Sequence, residues 1–515
     1  MDYDVIVVGA GSAGMEAAVA AAAHGAGRVL VLEKAPREEA GGNARLSHTG
    51  FRFPVSGREE VRQFLTEPDP DLDRLVVEPY TAAELLADVE RLSEGGADPV
   101  MARTLAEKAN ESVHWMRRAG VRWTLNRPRP GPDGLLHVEK GMALQAGTGS
   151  GGGRSQLEDW ARIATGLGVE VRHEAAVVGL ERGSAADPRL AVLVGDAVHP
   201  GGAQRLRAGG VVLAAGGFQA SPQRRARHLG PAFADVVVRG SRHDTGEVLE
   251  AALALGAARA GEWTGANLTP VDAVAGTVEA GNDANRYSYP YGITVNLRGE
   301  RFFDEGEASH SYTYARCGWH LVAQPEGRGY QIFDATTYPL LKHYAYRYAH
   351  PVVADDVAEL GRLLGLPAGA LEHTVTQFNA AVDETVPFDP TCEDGRGTVG
   401  LAVPKSNWAT RLQTPPFTAF PVTAGITFTY GGLRVDADAR VLDEDGVPID
   451  GLYASGDILG IFARNYPSGS GQTRNVVFSL AAGRHLARRR AAGGGHGARR
   501  EPAPTDTAPN GGDHA

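Results

Sequence analysis

The sequence predicts an α/β fold in which a Rossmann-type nucleotide-binding domain is interrupted by an inserted α+β capping domain. Near the start, a glycine-rich turn separates a β-branched run from an alanine-rich run, as in a strand–turn–helix unit. Short strand-like runs that end in small residues recur at 211–217 and 452–457. Between 263 and 415 the composition changes to aromatic-rich segments, which indicates a separate unit.

These features divide the chain into one discontinuous domain and an insertion. We expect residues 1–262 and 416–490 to form the nucleotide-binding domain, and residues 263–415 to cap the substrate. Within the cap, the apolar residues of 355–384 are spaced as in a pair of amphipathic helices. Residues 491–515 are rich in Gly, Pro, Ala and charged residues, and are predicted to be disordered.

Composition excludes several classes of function. The formal net charge of −11 disfavours nucleic acid as a partner, because phosphate neutralisation needs a basic surface. The two cysteines, Cys317 and Cys392, are too few for a disulfide framework, an iron–sulfur cluster or a zinc site, so no metal is expected. The apolar run Ala17–Ala23 is too short to span a membrane. Since no signal peptide is recognisable either, we expect a cytoplasmic protein without a membrane span.

The first segment carries the dinucleotide signature GxGxxG between the strand-like run Val5–Val8 and the helix-like run Met15–Ala23. Gly9 permits the tight turn, Gly11 lets backbone N–H groups approach a pyrophosphate, and Gly14 allows the helix to pack closely on the strand. The N-terminus of the helix adds a partial positive charge. This context predicts a bound dinucleotide.

An acidic residue follows the second predicted strand. Glu33 ends the run Val29–Leu32, at the distance where a carboxylate binds a ribose 2′-hydroxyl. Its charge argues against a 2′-phosphate and therefore against NADP. The contacts predicted in this region are Gly9, Ala10, Gly11, Ser12, Ala13, Gly14, Glu33 and Lys34.

Further segments favour FAD over NAD. Gly41–Arg45 is suited to pass along the pyrophosphate and flavin, Val212–Phe218 is a strand ending in small residues, and Gly451–Asp457 ends at a carboxylate suited to a ribityl chain. Ser468–Thr473 is expected to present backbone N–H groups where negative charge accumulates on flavin reduction. The further predicted contacts are Gly41, Gly42, Asn43, Ala44, Val177, Ala215, Gly216, Gly217, Asp457, Ser470, Gln472 and Thr473.

At these segments the chain resembles the flavoprotein family of fumarate reductases, succinate dehydrogenases and 3-ketosteroid dehydrogenases. The family's ATGGF and GLYAAGE strands appear as Ala214–Phe218 and Gly451–Asp457, and its GERFxxE cap motif appears as Gly299–Glu305. The resemblance covers nearly the whole chain. It implies an FAD-dependent oxidoreductase that acts on a carbon–carbon bond of a small substrate and passes electrons to an acceptor that the sequence does not identify.

Within this family the chain is most similar to tricarballylate dehydrogenases. The segments that carry this similarity are Ser288–Ile293, Asp304–Glu307, Tyr312–Arg316, Ile426–Tyr430 and Asn465–Gly471. The resemblance implies a substrate activated by a carboxylate or carbonyl group.

Three positions depart from the fumarate reductase pattern. No arginine occurs among Gly306–His310, where fumarate reductases carry their proton donor, while Phe428 replaces a histidine and Tyr466 replaces an arginine. Simple fumarate reduction is therefore disfavoured. Tyr466 is similar to a ketosteroid dehydrogenase tyrosine that polarises a carbonyl group, but Ser309 stands near the place of their catalytic tyrosine.

Four side chains are candidates for the chemistry. His310 is the leading acid or base, because imidazole exchanges protons near neutral pH, with a structural histidine as the alternative. Tyr466 is suited to donate its hydroxyl to a substrate oxygen, or else is a core tyrosine. Tyr312 is a weaker candidate, with a role in packing as the alternative. Arg45, at the end of the predicted flavin loop Gly41–Arg45, is expected near the substrate. Arg301 is expected to brace the cap by pairing with a carboxylate.

The flavin is predicted to be bound non-covalently. The segment Ser47–Thr49 looks like the covalent-flavin segment of respiratory enzymes, but counting along the loop places Asn43 where the covalent histidine would stand. An asparagine amide does not form that bond.

Three functions remain open at this point. The first is a dehydrogenase or desaturase of a small carboxylate- or carbonyl-activated substrate. The second is a ketosteroid-like dehydrogenase, or a specialised-metabolite desaturase, acting on a cyclic ketone. The third is an electron-transfer subunit without its own substrate, against which the aromatic cap argues because an electron carrier needs no closed chamber.

Overall fold

The computed structural model of the protein describes residues 2–128, 130–131, 133–148, 152–184, 187, 189–195 and 203–493. Two large sheets organise these residues. None of the helices within these ranges is long and apolar enough to cross a lipid bilayer.

The first sheet has eight strands, and its centre is parallel. Its first strand, Asp2–Val8, pairs in parallel with Val29–Leu32 on one side and with Gln204–Leu213 on the other. The apolar residues at 5–8 are buried, as expected for a strand covered on both faces. In spatial order the strands are Arg440–Leu442, Pro448–Ala454, Gln204–Leu213, Asp2–Val8, Val29–Leu32 and Glu170–Arg172, with Leu190–Val194 and Val177–Glu181 attached as antiparallel neighbours.

The first helix, Ser12–Ala23, packs against the last helix, Ser470–Gly493. Small residues permit the close approach, since a Cβ on Gly483 would lie 2.5 Å from the Cβ of Ala20. The last helix continues past Ala491, where disorder was predicted to begin. Arginines at 488–490 each pair with an aspartate and hold its final turns, while residues 494–515 lie outside the described ranges.

The second sheet has six strands, four of which lie within the predicted cap, residues 263–415, while Val237–Val238 and Phe417–Thr429 lie outside it. Its strands are Val237–Val238, Ala266–Asp272, Ile293–Asn296, Arg328–Phe333, Val352–Ala354 and Phe417–Thr429. The long strand Phe417–Thr429 is the centre of this sheet and pairs with four of the others. The predicted boundary at residue 415 therefore separates this strand from the sheet to which it is hydrogen-bonded.

The predicted pair of amphipathic helices is confirmed. Val357–Leu363 and Ala370–Ala381 lie within 355–384 and bury Leu360 and Phe378 in a core shared with the second sheet. The other helices are Arg58–Phe64, Ala82–Leu92, Pro99–Ala119, Gly152–Gly166, Pro222–His228, Glu247–Ala254, His310–Val322 and His343–Tyr346. The short strands Gly50–Phe51, Leu75–Val76, Trp123–Leu125, Leu136–His137, Leu144–Ala146, Arg259–Ala260 and Gly432–Leu433 form small separate sheets.

Candidate active site

A cavity of about 740 Å³ is lined both by the glycine-rich turn and by residues of the cap. Of the nucleotide-binding part, it reaches residues 8, 9, 11–13 and 214–216, at the ends of two neighbouring parallel strands. Of the cap, it reaches Asn285, Tyr287, Pro290 and Tyr291 and the start of the helix His310–Val322. The predicted dinucleotide site and the predicted catalytic region thus share one chamber, at the strand ends where α/β sheets bind their ligands.

The glycines of the turn have the roles that the signature predicts. Gly9 has a φ of +105°, and a Cβ there would lie 2.4 Å from the carbonyl oxygen of Ala214. A Cβ on Gly14 would lie 1.9 Å from the carbonyl oxygen of Gly9, so the helix packs directly on the turn. A Cβ on Gly11 would find its nearest neighbour at 3.5 Å, which leaves the backbone open towards the cavity. The helix that starts at Ser12 has no side-chain cap, so its N–H groups are available to an anion.

Glu33 lies beside the glycine-rich turn and lines the cavity. Its carboxylate accepts hydrogen bonds from the backbone N–H groups of Ala10 at 2.7 Å and Ala35 at 2.8 Å. A carboxylate has about four acceptor positions, so both oxygens keep capacity for the hydroxyl groups of a ribose. The geometry fits the predicted role.

Polar side chains converge where the flavin loop meets the carboxyl end of the strand Pro448–Ala454. The amide nitrogen of Asn43 donates to Asp457 at 2.9 Å and to the backbone carbonyl of Thr427 at 2.9 Å. Its amide oxygen accepts from the backbone N–H of Ser241 at 2.9 Å. Asp457 also pairs with the buried Arg474. Asn43 is therefore fixed at the place where the resemblance puts a covalent histidine in other members of the family.

The start of the last helix lines the opposite part of the cavity. The buried Oε1 atom of Gln472 has no hydrogen-bond partner within the described part of the chain, and it would satisfy an N–H donor of a flavin. The hydroxyl groups of Ser470 and Thr473 instead bind the backbone carbonyls of Pro467 at 2.6 Å and Arg52 at 2.7 Å. These two side chains shape the loop and do not face the cavity.

Most predicted cofactor contacts line the cavity. Those that do are Gly9, Gly11, Ser12, Ala13, Glu33, Lys34, Gly42, Asn43, Ala44, Val177, Ala215, Gly216, Asp457 and Gln472. Those that lie behind its surface are Ala10, Gly14, Gly41, Gly217, Ser470 and Thr473. Gly217 illustrates the reason, because a Cβ there would lie 2.4 Å from the hydroxyl oxygen of Thr429, so this glycine permits close packing.

Gly153 also shapes this site, although it was not among the predicted residues. A Cβ on Gly153 would lie 1.8 Å from the backbone carbonyl oxygen of Ala44, so the helix Gly152–Gly166 begins directly against the flavin loop. The consecutive glycines at 151–153 were the available signal. Gly152 and Gly153 mark a close approach of two backbones, since a Cβ on Gly152 would lie 2.8 Å from the backbone carbonyl oxygen of His48.

His310 lies at the cap end of the cavity and begins the helix His310–Val322. Its Nε2 lies 2.6 Å from the ammonium nitrogen of Lys342, and its Nδ1 lies 4.0 Å from the carboxylate of Glu139. Burial and the charge of Lys342 lower the pKa of the His310 imidazole to about 3. The imidazole is therefore neutral near pH 7. Since an ammonium group can only donate, Nε2 accepts from Lys342 and the ring proton sits on Nδ1.

The structure places Tyr312 outside the cavity, which corrects its predicted position. Its hydroxyl accepts from the buried Arg52 at 2.8 Å and donates to Asp88 at 3.2 Å. The reason is helical geometry, since a residue two positions after His310 points to the other side of the helix. Tyr314, four positions after His310, shares its face and lines the cavity.

Arg45 also lies outside the cavity lining, contrary to expectation. Its guanidinium pairs with Glu279 at 2.9 Å, and the same carboxylate binds Arg242 at 3.2 Å. The charge of Arg45 is thereby matched within the chain. Arg301 does brace the cap as expected, through Glu305 and the backbone carbonyl of Val403.

Two tyrosines form a second polar pair in the cavity. The hydroxyls of Tyr314 and Tyr466 are hydrogen-bonded to each other, and the amide nitrogen of Asn267 lies 3.4 Å from the Tyr466 oxygen. Burial raises the pKa of Tyr314 to about 12 and that of Tyr466 well above its ordinary value, so both hydroxyls stay protonated. When Tyr466 accepts from Tyr314 and Asn267, its own proton remains available to a ligand.

Several cavity residues gave no recognisable sequence signal. Lys342 and Glu139 are far from His310 in the chain, and Arg239 is far from the tyrosine pair, yet all three line the same chamber. Only Tyr314 had a usable signal, because it follows His310 by one turn of helix.

Comparison with known proteins is consistent with this geometry. A family model for an FAD binding domain matches residues 4–472. The fumarate reductase (cytochrome) of Shewanella frigidimarina is 26% identical over 94% of this chain and 77% of its own. The 4-oxocyclohex-2-ene-1-carboxylate 5-dehydrogenase of Sinomonas cyclohexanicum is 26% identical over 94% of this chain and 94% of its own.

Solved structures confirm the predicted fold class. The 3-ketosteroid delta1-dehydrogenase from Sterolibacterium denitrificans, in complex with 1,4-androstadiene-3,17-dione, matches with a TM-score of 0.71 and 21% identity. The match covers 95% of this chain and 100% of that one.

Proposed function

This chain belongs to the FAD binding domain family, which confirms FAD as the predicted cofactor, and on that premise we propose that it is a dehydrogenase or desaturase of a carbon–carbon bond. The substrate is small and is activated by a carboxylate or carbonyl group, as in the tricarballylate dehydrogenases that the sequence resembles. The electron acceptor is a separate molecule. The flavin is held without a covalent bond, because Asn43 occupies the position of the covalently attached histidine in the family that the chain resembles. The amide of Asn43 is hydrogen-bonded to Asp457.

One observation carries this proposal. The cavity that is lined by the predicted FAD contacts is also lined by two polar pairs, His310 with Lys342 and Tyr314 with Tyr466. Removal of two hydrogens from adjacent carbons needs a hydride acceptor, a base for the remaining proton, and a donor that acidifies that proton. Bound FAD supplies the hydride acceptor, at its N5.

The pair of His310 and Lys342 exchanges the proton. The low pKa of the imidazole, which burial and Lys342 produce, means that the proton carried by this pair near neutral pH resides on the lysine nitrogen. In its protonated form the pair supplies the acid for hydrogenation of a double bond. After loss of that proton it supplies the base for desaturation, so the same pair serves either direction.

Tyr466 polarises the activating group of the substrate. Its buried hydroxyl is hydrogen-bonded to that of Tyr314 and lies 3.4 Å from the amide nitrogen of Asn267. When it accepts from both groups, its own proton is free to bind a ligand in the cavity. A donor to the substrate oxygen stabilises the negative charge that builds up when the adjacent C–H bond is broken. The partners of Tyr466 hold the hydroxyl in place before the substrate binds.

A second candidate is a dehydrogenase of a cyclic ketone. Tyr466 favours it, because a single hydroxyl donor is sufficient to polarise a carbonyl group. Ser309 argues against it, since its hydroxyl donates to Glu139 and no tyrosine occupies that position. An electron-transfer subunit without substrate is disfavoured by the size of the chamber and by its two polar pairs.

The test is an anaerobic titration of the purified protein, followed through the visible spectrum of its flavin. Tricarballylate is added first and a neutral cyclic ketone second. Bleaching by tricarballylate is expected, and His310→Gln should slow it by about 100-fold or more. His137→Gln is the matched control, because His137 also lines the cavity but pairs with Asp133 at 2.8 Å. Bleaching by the ketone alone selects the second candidate, and acid release of all FAD supports non-covalent binding.

A further inference from the structure

We propose that Arg239 is the anchor for a carboxylate group of the substrate, which restricts this enzyme to anionic substrates. The inference rests on the proposed function and deepens it by naming the chemical class that the cavity selects.

Arg239 directly follows the strand Val237–Val238 and lines the cavity. Its guanidinium donates to the hydroxyl of Thr427 at 3.1 Å and to the amide oxygen of Asn282 at 3.0 Å. Both of these partners are neutral. Its Nε is buried and has no hydrogen-bond partner among the residues that the structure describes.

Arg239 lacks a carboxylate partner among the described residues, whereas the other arginine that lines the cavity has one. Within the described ranges, no carboxylate lies within 4.0 Å of its guanidinium, whereas Arg127, the other arginine of the cavity lining, pairs with Asp69 at 2.5 Å and with Asp71 at 3.1 Å. A partly buried cation with neutral partners loses hydration without gaining a counter-ion. An anionic ligand supplies that counter-ion.

The position of Arg239 points to the substrate rather than to the pyrophosphate. The predicted pyrophosphate site is the glycine-rich turn that starts at Gly9, together with the start of the helix Ser12–Ala23. Arg239 instead lies on the side of the tyrosine pair, because it donates to Thr427, which directly precedes Phe428, and the ring centroid of Phe428 lies 5.2 Å from that of Tyr466. An anchored carboxylate is therefore held beside the hydroxyls that polarise the reacting part of the substrate.

A planar guanidinium suits this task. It presents parallel N–H groups that match the two oxygens of a carboxylate, which gives orientation as well as affinity. A neutral ketone has no such group to offer, so it leaves the charge of Arg239 uncompensated. The cavity should therefore bind anionic substrates more tightly than neutral substrates of similar shape.

The test compares Arg239→Gln and Arg239→Lys with Arg242→Gln in the FAD-loaded protein. Arg242 is three residues away, is half exposed and already pairs with Glu279, so it is a matched control. Malonate, a dicarboxylate that has no saturated C–C bond between adjacent CH groups to oxidise, is titrated by its perturbation of the flavin spectrum. Arg239→Gln should weaken malonate binding by about 10- to 100-fold. Arg239→Lys should weaken it less, and Arg242→Gln should leave it unchanged.

Three outcomes overturn the proposal. In the first, the unaltered protein does not bind malonate. In the second, Arg239→Gln binds malonate as tightly as the unaltered protein does. In the third, Arg239→Gln loses FAD to the same extent as it loses malonate binding. If Arg239→Gln does not fold, the comparison of Arg239→Lys with Arg242→Lys decides by the same criteria. Failure of the proposed function looks different, because malonate would then bind in an Arg239-dependent way while no carboxylate or ketone bleached the flavin.

Discussion

The ammonium nitrogen of Lys342 lies 2.6 Å from Nε2 of His310. This contact fixes the tautomer of a buried imidazole, because the lysine donates to Nε2 and leaves the ring proton on Nδ1, towards Glu139. A cation thus stands beside His310, in the region where the resemblance places an arginine proton donor in fumarate reductases. The lysine comes from a different segment of the cap, 32 residues further along the chain.

Replacement of Lys342 should change the pH dependence of the reaction. In Lys342→Met, the loss of the neighbouring positive charge should raise the His310 pKa from about 3 towards its ordinary value of 6.5. The rate of flavin reduction should fall by about 100-fold, and its pH profile should gain a limb near the new histidine pKa. Stopped-flow measurements across pH test this, with Lys342→Arg as the variant that keeps a cation. Identical profiles for Lys342→Met and the unaltered protein would remove the pair from the mechanism.

Removal of the Tyr466 hydroxyl should slow catalysis without unfolding the protein. In Tyr466→Phe, the ring still packs against Phe428 and Phe462, whose centroids each lie 5.2 Å away. Loss of a donor to a developing negative charge should reduce kcat by about 10- to 100-fold. Tyr312→Phe is the control, because that hydroxyl binds Arg52 and Asp88 outside the cavity. Equal effects of the two variants on kcat would contradict the assigned role of Tyr466.

Two alanine substitutions in the glycine-rich turn should separate stability from FAD binding. Gly14→Ala should destabilise the protein itself, because its Cβ would lie 1.9 Å from the Gly9 carbonyl oxygen. Gly11→Ala should leave the stability of the apoprotein unchanged, since its nearest neighbour would be at 3.5 Å, but should lower FAD affinity. Thermal unfolding of the apoprotein and FAD titration measure the two effects. Gly166→Ala, which meets nothing within 4 Å, is the control.

A buried acid in the first helix should make stability depend on pH. Burial raises the pKa of Glu16 from 4.5 to about 8, so its folded form holds a proton that the unfolded chain releases above its ordinary pKa. The free energy of unfolding is therefore highest below the unfolded pKa of Glu16 and falls as pH rises towards the folded pKa, by about 1.4 kcal/mol per pH unit. Glu16→Gln should remove this slope in denaturant titrations.

The control for this effect is Glu158→Gln on the neighbouring helix, where the side chain is exposed. That variant should retain the pH dependence of the unaltered protein. A slope that persists in Glu16→Gln would show that other groups, and not Glu16, cause it.

The dinucleotide site could be predicted from sequence because its information is local. Gly9, Gly11 and Gly14 lie within one turn, and Glu33 follows at the end of the next strand, so steric and polar requirements are set by neighbours in the chain. Of these four residues, the structure places all but Gly14, which packs the helix on the turn, at the cavity surface. Asn43 also lies at the cavity surface, and its position could be predicted because it depends only on the number of residues along the loop Gly41–Arg45.

The substrate end could not be predicted in the same way, because its residues come from distant segments. Tyr312 was a weaker candidate for the chemistry, and helical geometry turns it away from the cavity and brings Tyr314 in. Arg45 was expected near the substrate, but Glu279, more than two hundred residues away, pairs with it.

By itself, then, the sequence determined the fold class, the cofactor and the family, because each depends on short motifs in a fixed order along the chain. Only the tertiary structure decided which charged groups face one another. It paired His310 with Lys342, gave Arg45 a counter-ion and left Arg239 without one among the described residues. The physical reason is that the charge balance of a buried site depends on distances across the fold, and these are set only when segments distant in the chain come together around the cavity.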